Sequence, residues 1–155
     1  MSKMESGLPR RRIPKPIRWF ALSYIAFAVA ALTNNLMLID GFRAELSSAI
    51  GSEAPAWLGY AGFAIRFAAR LVLAWFVVHN ASKVACWLIV VWGLAWLKDV
   101  PVGFAALIDG EYTWLPWLAI ISLQLFAIAC LFHPRARLWF KGKGKLPEDI
   151  RAAFD

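Results

Sequence analysis

Two arginines, Arg66 and Arg70, lie one helical turn apart inside an otherwise apolar stretch, GFAIRFAARLVLAWF at residues 62–76. Lys98 and Asp99 interrupt a second apolar run. A charged side chain in hydrocarbon is costly, and such residues commonly mark ion pairs, ligand sites or transport paths. These four ionisable groups therefore need polar partners in an apolar environment.

The composition indicates an integral membrane protein. The chain has 155 residues, of which 61% are hydrophobic, and it contains nine Trp and eleven Phe. Its apolar residues form long blocks, whereas soluble domains distribute them in periodic stripes. The two cysteines are not a C-x-x-C pair, so a disulfide-exchanging enzyme is not indicated.

Four apolar blocks predict four membrane-spanning helices, at about 19–39, 57–78, 84–108 and 114–132. Each approaches the ~20 residues that a helix needs to cross ~30 Å of hydrocarbon. The predicted fold is an all-α, integral membrane four-helix bundle, with residues 1–155 forming one membrane domain and residues 133–155 a basic tail.

The net charge of +7 is concentrated before the first block and after the last. The 40–56 and 109–113 loops are acidic. By the positive-inside rule, both termini are predicted to be cytoplasmic. The basic residues suit anionic lipid headgroups, and without a soluble domain the charge does not indicate nucleic-acid binding.

The 40–56 loop contains a helical pattern of its own. Phe42, Leu46 and Ile50 are spaced four apart, which places them on one face. Asp40 can cap the start of such a helix and Gly51 can end it. We expect an amphipathic helix over about 41–50, lying on the outer surface.

The polar residues of the four blocks are predicted to form one layer in the outer half of the bilayer. At 1.5 Å per residue, Arg66 lies ~13 Å and Asp99 ~8 Å below the outer boundary. Helical side chains lean toward the N-terminus, so groups on antiparallel helices lean toward each other. We therefore predict an Arg66–Asp99 ion pair. The residues expected to bind a ligand or partner are Asn34, Asn35, Arg66, Arg70, Lys98, Asp99 and Gln124.

Pro101 and Arg70 add unpaired groups to this layer. Pro101 has no N–H, so the carbonyl of Leu97 must find another donor, such as a nearby cation or amide, and span three is expected to kink. The layer holds three cations and a single deep carboxylate, so Arg70 and Lys98 need other anionic partners. These can be an acidic loop residue, a lipid phosphate, an anionic ligand or a partner's carboxylate.

Cofactor and enzyme chemistry are weakly supported. His79 and His133 end spans two and four at the inner face, where two histidines could ligate a haem, but each lies at the membrane boundary. No third or fourth metal ligand, paired deep carboxylate, catalytic serine constellation or phosphate-binding loop is evident. We expect no cofactor and no enzymatic activity.

The segment RARLWFKGKGK after span four alternates basic and apolar residues. Such a segment lies at the inner interface, where anionic headgroups attract each nearby cation by ~1 kcal/mol. The predicted headgroup contacts are Arg135, Arg137, Trp139 and Lys141.

The stretches HNASKVACWL and SLQLFAIACLFHPRARLWFKG resemble a loose group of small, uncharacterised four-span bacterial inner-membrane proteins. Those proteins end with a Gln-containing span followed by Leu-Phe, a Pro, a basic pair and Trp-Phe. The matching residues here are Gln124, Leu131, Phe132, Pro134, Arg135, Arg137, Trp139 and Phe140. The resemblance implies a multi-pass protein of the bacterial inner membrane and carries no activity.

Three hypotheses follow for the polar layer. It can be interhelical structural glue. It can make the chain a non-enzymatic accessory subunit or binding module, whose layer receives an anionic lipid headgroup or an acidic group of another membrane protein or a second copy. Alternatively, the chain is a small transporter or channel-like protein for an anion or proton.

Overall fold

The structure, a computed structural model, describes residues 13–51, 53 and 55–143. The N-terminal arm 1–12 and residues 144–155 of the predicted basic tail lie outside the described residues. All regular structure in the described ranges is helical. The α-helices are α1 (Lys15–Met37), α2 (Ile39–Ile50), α3 (Ala56–Asn80), α4 (Lys83–Ala95), α5 (Val100–Ile108), α6 (Leu115–Phe132) and α7 (Pro134–Lys141).

The prediction of four helical segments long and apolar enough to span a membrane is confirmed. They are Lys15–Met37, Trp57–Asn80, Lys83–Ile108 and Tyr112–Phe132. Their outward faces carry large apolar side chains, such as Ile65 at 69% exposed and Val91 at 62%. A helix that is apolar on all sides is stable in hydrocarbon or a large core, and this chain is too small to bury four of them.

The long helices pack as a ring in chain order. α1 packs against α3 and α6, and α4 packs against the same two helices from the other side. A short turn joins α3 to α4, where Ala81 is left-handed with φ 46° and the Ser82 hydroxyl accepts from the Ala85 N–H at 3.2 Å. Consecutive spans are therefore antiparallel, and both ends of the described chain lie at the same end of the ring.

Many of the buried core residues lie toward that end of the ring. α1 contributes Ile17, Phe20 and Tyr24, and α7 folds back against it with Trp139 and Phe140. Trp139 is only 1% exposed, so it packs in the core and does not face the headgroups predicted for it. Burial of this indole fixes α7 against the ring.

Span three is broken rather than smoothly kinked. α4 ends at Ala95, a 3₁₀ turn covers Leu97–Asp99, and α5 begins at Val100. The carbonyl of Leu97, which Pro101 cannot serve, accepts instead from the Val100 N–H. A tighter backbone turn therefore satisfies this carbonyl, in place of the side-chain cation or amide predicted for it.

The helix in the 40–56 loop, α2, follows α1 almost without interruption. It ends at Gly51, whose φ of 73° favours glycine. Asp40 makes no side-chain cap and lies 4.0 Å from Arg43. Phe42 packs on Phe63 of α3 with ring centroids 5.1 Å apart. α2 therefore covers the N-terminal end of α3.

Gly93 allows α4 and α6 to approach closely. A Cβ at this position would collide with Ile128 Cδ1 and lie 3.0 Å from Gln124 Nε2. We expect Gly93→Ala to lower the free energy of unfolding by about 1–3 kcal/mol, because the packed neighbours have to move. Thermal unfolding in detergent measures this change.

The matched control is Gly62→Ala on α3, where no atom lies within 4 Å of the added Cβ. Replacing a helical glycine by alanine in open space raises stability by about 0.5–1 kcal/mol. Equal effects of the two substitutions would contradict the packing seen at Gly93.

Candidate functional site

A small cavity lies inside the ring of long helices. Its volume is about 40 Å³. The polar and aromatic side chains that line it are Phe27, Asn34, Asn35, Arg70, Trp96, Trp117 and Gln124. The cavity is thus built from all four spans, with the aromatic groups supplied by spans one, three and four.

Arg70 is the charged group of the cavity. It is 5% exposed, and its Cζ lies 4.8 Å from the centroid of the Phe27 ring. Within residues 13–51, 53 and 55–143, Arg70 makes no ion pair and no hydrogen bond. Its positive charge is compensated there only by the face of an aromatic ring, an interaction worth about 0.5–2 kcal/mol.

The face of α1 that carries Phe27 explains how the cavity forms. Tyr24 and Phe27 fill the interior, with ring centroids 5.6 Å apart. One turn further, Ala31 is small and lines the cavity together with Asn34. Along this face of α1 the side chains change from large to small to polar, which leaves an unfilled space on the C-terminal side of Phe27.

Gln124 supplies a buried amide from α6. It is 3% exposed, and no hydrogen bond of its side chain is found within the described part of the chain. Gly93 brings α4 against this side chain and so holds it in the interior. Buried amides are normally hydrogen-bonded, so Gln124 has donor and acceptor capacity left for a further group.

Arg66 does not share the environment of Arg70. Arg66 is exposed, and its Cζ lies 5.7 Å from the Phe42 ring on α2. The predicted Arg66–Asp99 ion pair is wrong, because the structure contains no such pair between these two described residues. Arg66 leans toward the N-terminus of α3, as expected, but there it meets α2 and not the broken part of span three.

Asp99 and Lys98 lie outside the cavity. Asp99 is half-buried and lines a neighbouring pocket of about 320 Å³. Asn34 and Trp117 line both this pocket and the cavity, so Asp99 lies next to the Arg70 site. Lys98 is exposed and lines a third pocket, on the outward side of α4.

Of the seven residues predicted to bind a ligand or partner, the structure brings four together at the cavity. These are Asn34, Asn35, Arg70 and Gln124. Sequence reasoning missed Phe27, Trp96 and Trp117. Phe27 and Trp117 each precede a predicted polar residue by seven positions on the same helix, so helical spacing could have identified both. Trp96 faces the cavity at the point where span three breaks, which no local pattern marks.

Both histidines have local contacts. The His79 ring stacks on Trp75 with centroids 3.5 Å apart. The His133 Nδ1 accepts from the Arg135 N–H at 3.2 Å and thereby caps α7. A search of the described residues finds no group of three or more His, Cys, Asp or Glu that could hold a metal ion.

The cavity is suited to binding an anionic group. A guanidinium can donate several hydrogen bonds in a planar fork to carboxylate or phosphate oxygens, and the surrounding amides can donate more. None of the ten residues that line it carries a hydroxyl, thiol, carboxylate or imidazole that could act as a nucleophile or exchange a proton. The arrangement therefore favours recognition over catalysis.

Comparisons with protein-family models, with curated proteins and with solved structures found no match for this chain. The interpretation of the cavity consequently depends on its own geometry and chemistry.

Replacing Arg70 by an apolar residue tests whether this arginine stabilises the fold or serves a ligand. We expect Arg70→Met to leave the thermal midpoint in detergent unchanged or to raise it, because it removes a buried charge that lacks a described counter-ion. Each 1 kcal/mol gained corresponds to about 2–4 °C for a chain of this size.

A marked loss of stability on Arg70→Met would show instead that the arginine holds the helices together. Phe27→Leu serves as the control for the aromatic contact. It should lower the midpoint in the wild-type protein and have a smaller effect in the Arg70→Met background, where no cation lies against the ring.

Proposed function

We propose that this chain is a non-enzymatic, multi-pass protein of the bacterial inner membrane that binds a carboxylate group at Arg70. Within the described residues, an arginine that is 5% exposed faces a cavity without an anionic partner. This single observation carries the proposal. In this role the chain is an accessory subunit or binding module of the membrane.

The cost of burying an unpaired cation supports a missing partner. The effective penalty for burying one ion in a protein is several kcal/mol, and an aromatic face offsets only part of it. An anion placed against the guanidinium gains Coulomb energy in a region of low dielectric. The buried guanidinium is therefore lower in free energy with an anion bound beside it than without one.

The size of the cavity favours a carboxylate over a lipid headgroup. A volume of about 40 Å³ holds roughly three water molecules. A carboxylate has three heavy atoms, whereas a phosphodiester headgroup is considerably larger. We therefore favour the acidic side chain of a partner membrane protein, or a small free carboxylate, as the group that binds.

The orientation proposed for the protein places the α7 end in the cytoplasm. Arg135, Arg137 and Lys141 of α7 are exposed at this end, next to the start of α1. The loops that join α2 to α3 and α5 to α6 carry acidic residues. This asymmetry agrees with the positive-inside rule and gives an interior cavity in the outer half of the membrane.

A titration with a small carboxylate tests the proposed site. We expect acetate or formate, added at constant ionic strength with chloride as the reference anion, to raise the thermal midpoint of the wild-type protein. A ligand present at ten times its Kd stabilises by about 1.4 kcal/mol. Arg70→Gln should abolish this effect, because it removes the cation that receives the anion.

Arg66→Gln is the matched control for this titration. It makes the same chemical change one helical turn away, at an exposed position outside the cavity. Acetate should stabilise this variant as it does the wild type. If both variants lose the effect equally, or if chloride stabilises as well as acetate, the carboxylate site does not exist.

Purification in mild detergent distinguishes the two possible sources of the carboxylate, a partner protein and a free small molecule. A partner protein should co-purify with wild type and Arg66→Gln, be lost from Arg70→Gln, and be displaced by acetate. Acetate binding without any such partner would identify the ligand as a free small carboxylate.

Transport of an anion or proton through the same layer is the alternative function. Between the cavity and the α7 end, the interior is filled by Tyr24, Phe20 and Trp139, each at most 3% exposed. This packing supports binding over a continuous path. We therefore expect liposomes containing the protein to show no acetate or proton flux above that of empty liposomes.

Flux that Arg70→Gln abolishes and Arg66→Gln retains would overturn the binding proposal in favour of transport. Flux that is equal in all three proteins reflects leakage of the liposomes, and comparison with empty liposomes identifies it.

A further inference from the structure

A second feature lies at the opposite end of the ring from the acidic loops. An open groove of about 330 Å³ runs between the start of α1 and the junction of α6 with α7. Trp19, Phe126 and Cys130 form its apolar part. Lys15, His133 and Arg135 form its polar part.

The two parts of the groove are ordered along the helices. Trp19 lies one turn after Lys15 on α1, and Phe126 lies seven residues before His133 on α6. At 1.5 Å per residue, the apolar wall therefore extends ~6–10 Å from the polar rim toward the middle of the spans. An amphiphile whose charged head lies at the rim would place its chain against this wall.

The electrostatic field at this end favours an anion. The described acidic residues are Asp40, Glu45, Glu53, Asp99, Asp109 and Glu111, and all belong to elements toward the other end of the ring. The described basic residues of the groove end are Lys15, Arg18, Lys83, Arg135, Arg137, Lys141 and Lys143. The described part of the groove end is therefore strongly basic.

The rim is held in place by buried neighbours. Ala136 follows Arg135 directly and is fully buried, and Trp139 anchors the same helix in the core. The imidazole of His133 accepts from the Arg135 backbone N–H, which fixes the start of α7. The backbone that carries Arg135 is thus preorganised beside Lys15 of α1, which limits the entropy lost on binding.

We infer that this groove binds one anionic phospholipid, with the phosphate between Lys15 and Arg135 and an acyl chain along Trp19 and Phe126. The apolar wall favours a lipid over an acidic soluble protein, because Trp19 and Phe126 are 58% and 53% exposed on the side that faces hydrocarbon in the proposed orientation. This site is separate from the Arg70 cavity and shares no lining residue with it.

Native mass spectrometry of the full chain in detergent tests the inference. The purified protein is titrated with phosphatidylglycerol and, separately, with phosphatidylcholine of the same acyl chains. We expect tighter binding of phosphatidylglycerol. The double variant Lys15→Gln, Arg135→Gln should weaken phosphatidylglycerol binding about thirtyfold, given the usual contribution of each cation near an anionic lipid.

Lys83→Gln is the matched control, because Lys83 is exposed at the same end of the ring but does not line the groove. It should change phosphatidylglycerol binding less than twofold. Phe126→Ala should weaken binding of both lipids, since it removes part of the apolar wall. Circular dichroism establishes that each variant keeps its helical content.

Two results would overturn the inference that the groove binds an anionic phospholipid. One is equal binding of phosphatidylglycerol and phosphatidylcholine by the wild-type protein. The other is a loss in Lys83→Gln as large as that in the single variants Lys15→Gln and Arg135→Gln, which would show diffuse attraction to a basic surface. Arg70→Gln should bind phosphatidylglycerol as the wild type does, so failure of one site can be told from failure of the other.

Discussion

The placement of the Arg70 guanidinium in the interior constrains much of the surrounding structure. A buried cation needs an electron-rich neighbour, and Phe27 supplies one at 4.8 Å. It also needs hydrogen-bonding capacity, and the cavity provides the amides of Asn34, Asn35 and Gln124. Gly93 then has to be small, because the side chains of Ile128 and Gln124 occupy the space beside it. One charge thus links residues on all four spans.

The two arginines of α3 show how tertiary neighbours decide the fate of identical side chains. Arg66 and Arg70 are four residues apart and lean in the same direction along the helix. Arg66 reaches the level of α2 and lies over Phe42, at an exposed position. Arg70, one turn deeper, meets α1 and is enclosed. Contact with α1 in one case and with α2 in the other therefore distinguishes the buried cation from the accessible one.

The interior is divided along the spans into a polar half and an apolar half. Toward the acidic loops lie the Arg70 cavity and the neighbouring Asp99 pocket. Toward α7 the space is filled by aromatic and branched side chains, and α7 closes it with Trp139. A protein built this way has room to receive a group from one side. Dense packing on the other side opposes a water-filled passage, because such packing leaves few voids larger than a water molecule.

The elements of this protein could be predicted from local sequence, because each depends on residues close in the chain. Twenty or so consecutive apolar residues suffice to define a span, and a glycine such as Gly51 can end a helix through its own backbone freedom. Pro101 likewise predicted a distortion of span three, and the structure has a 3₁₀ turn there, at Leu97–Asp99, just before the proline. These features need no knowledge of how the helices pack.

Which polar groups meet was decided only by the tertiary structure. Depth in the membrane can be counted along a sequence, but the rotation of each helix about its axis cannot, and a rotation moves a side chain from the interior to the surface. For this reason Gln124 and Arg70 share a cavity, whereas Arg66 and Asp99, predicted as partners from their depth, do not. Trp139 is a second example. The sequence around it resembles an interfacial flank, but α7 folds onto α1 and buries the indole. Packing the apolar face of α7 against α1 removes more apolar surface from water than leaving it at the membrane boundary would.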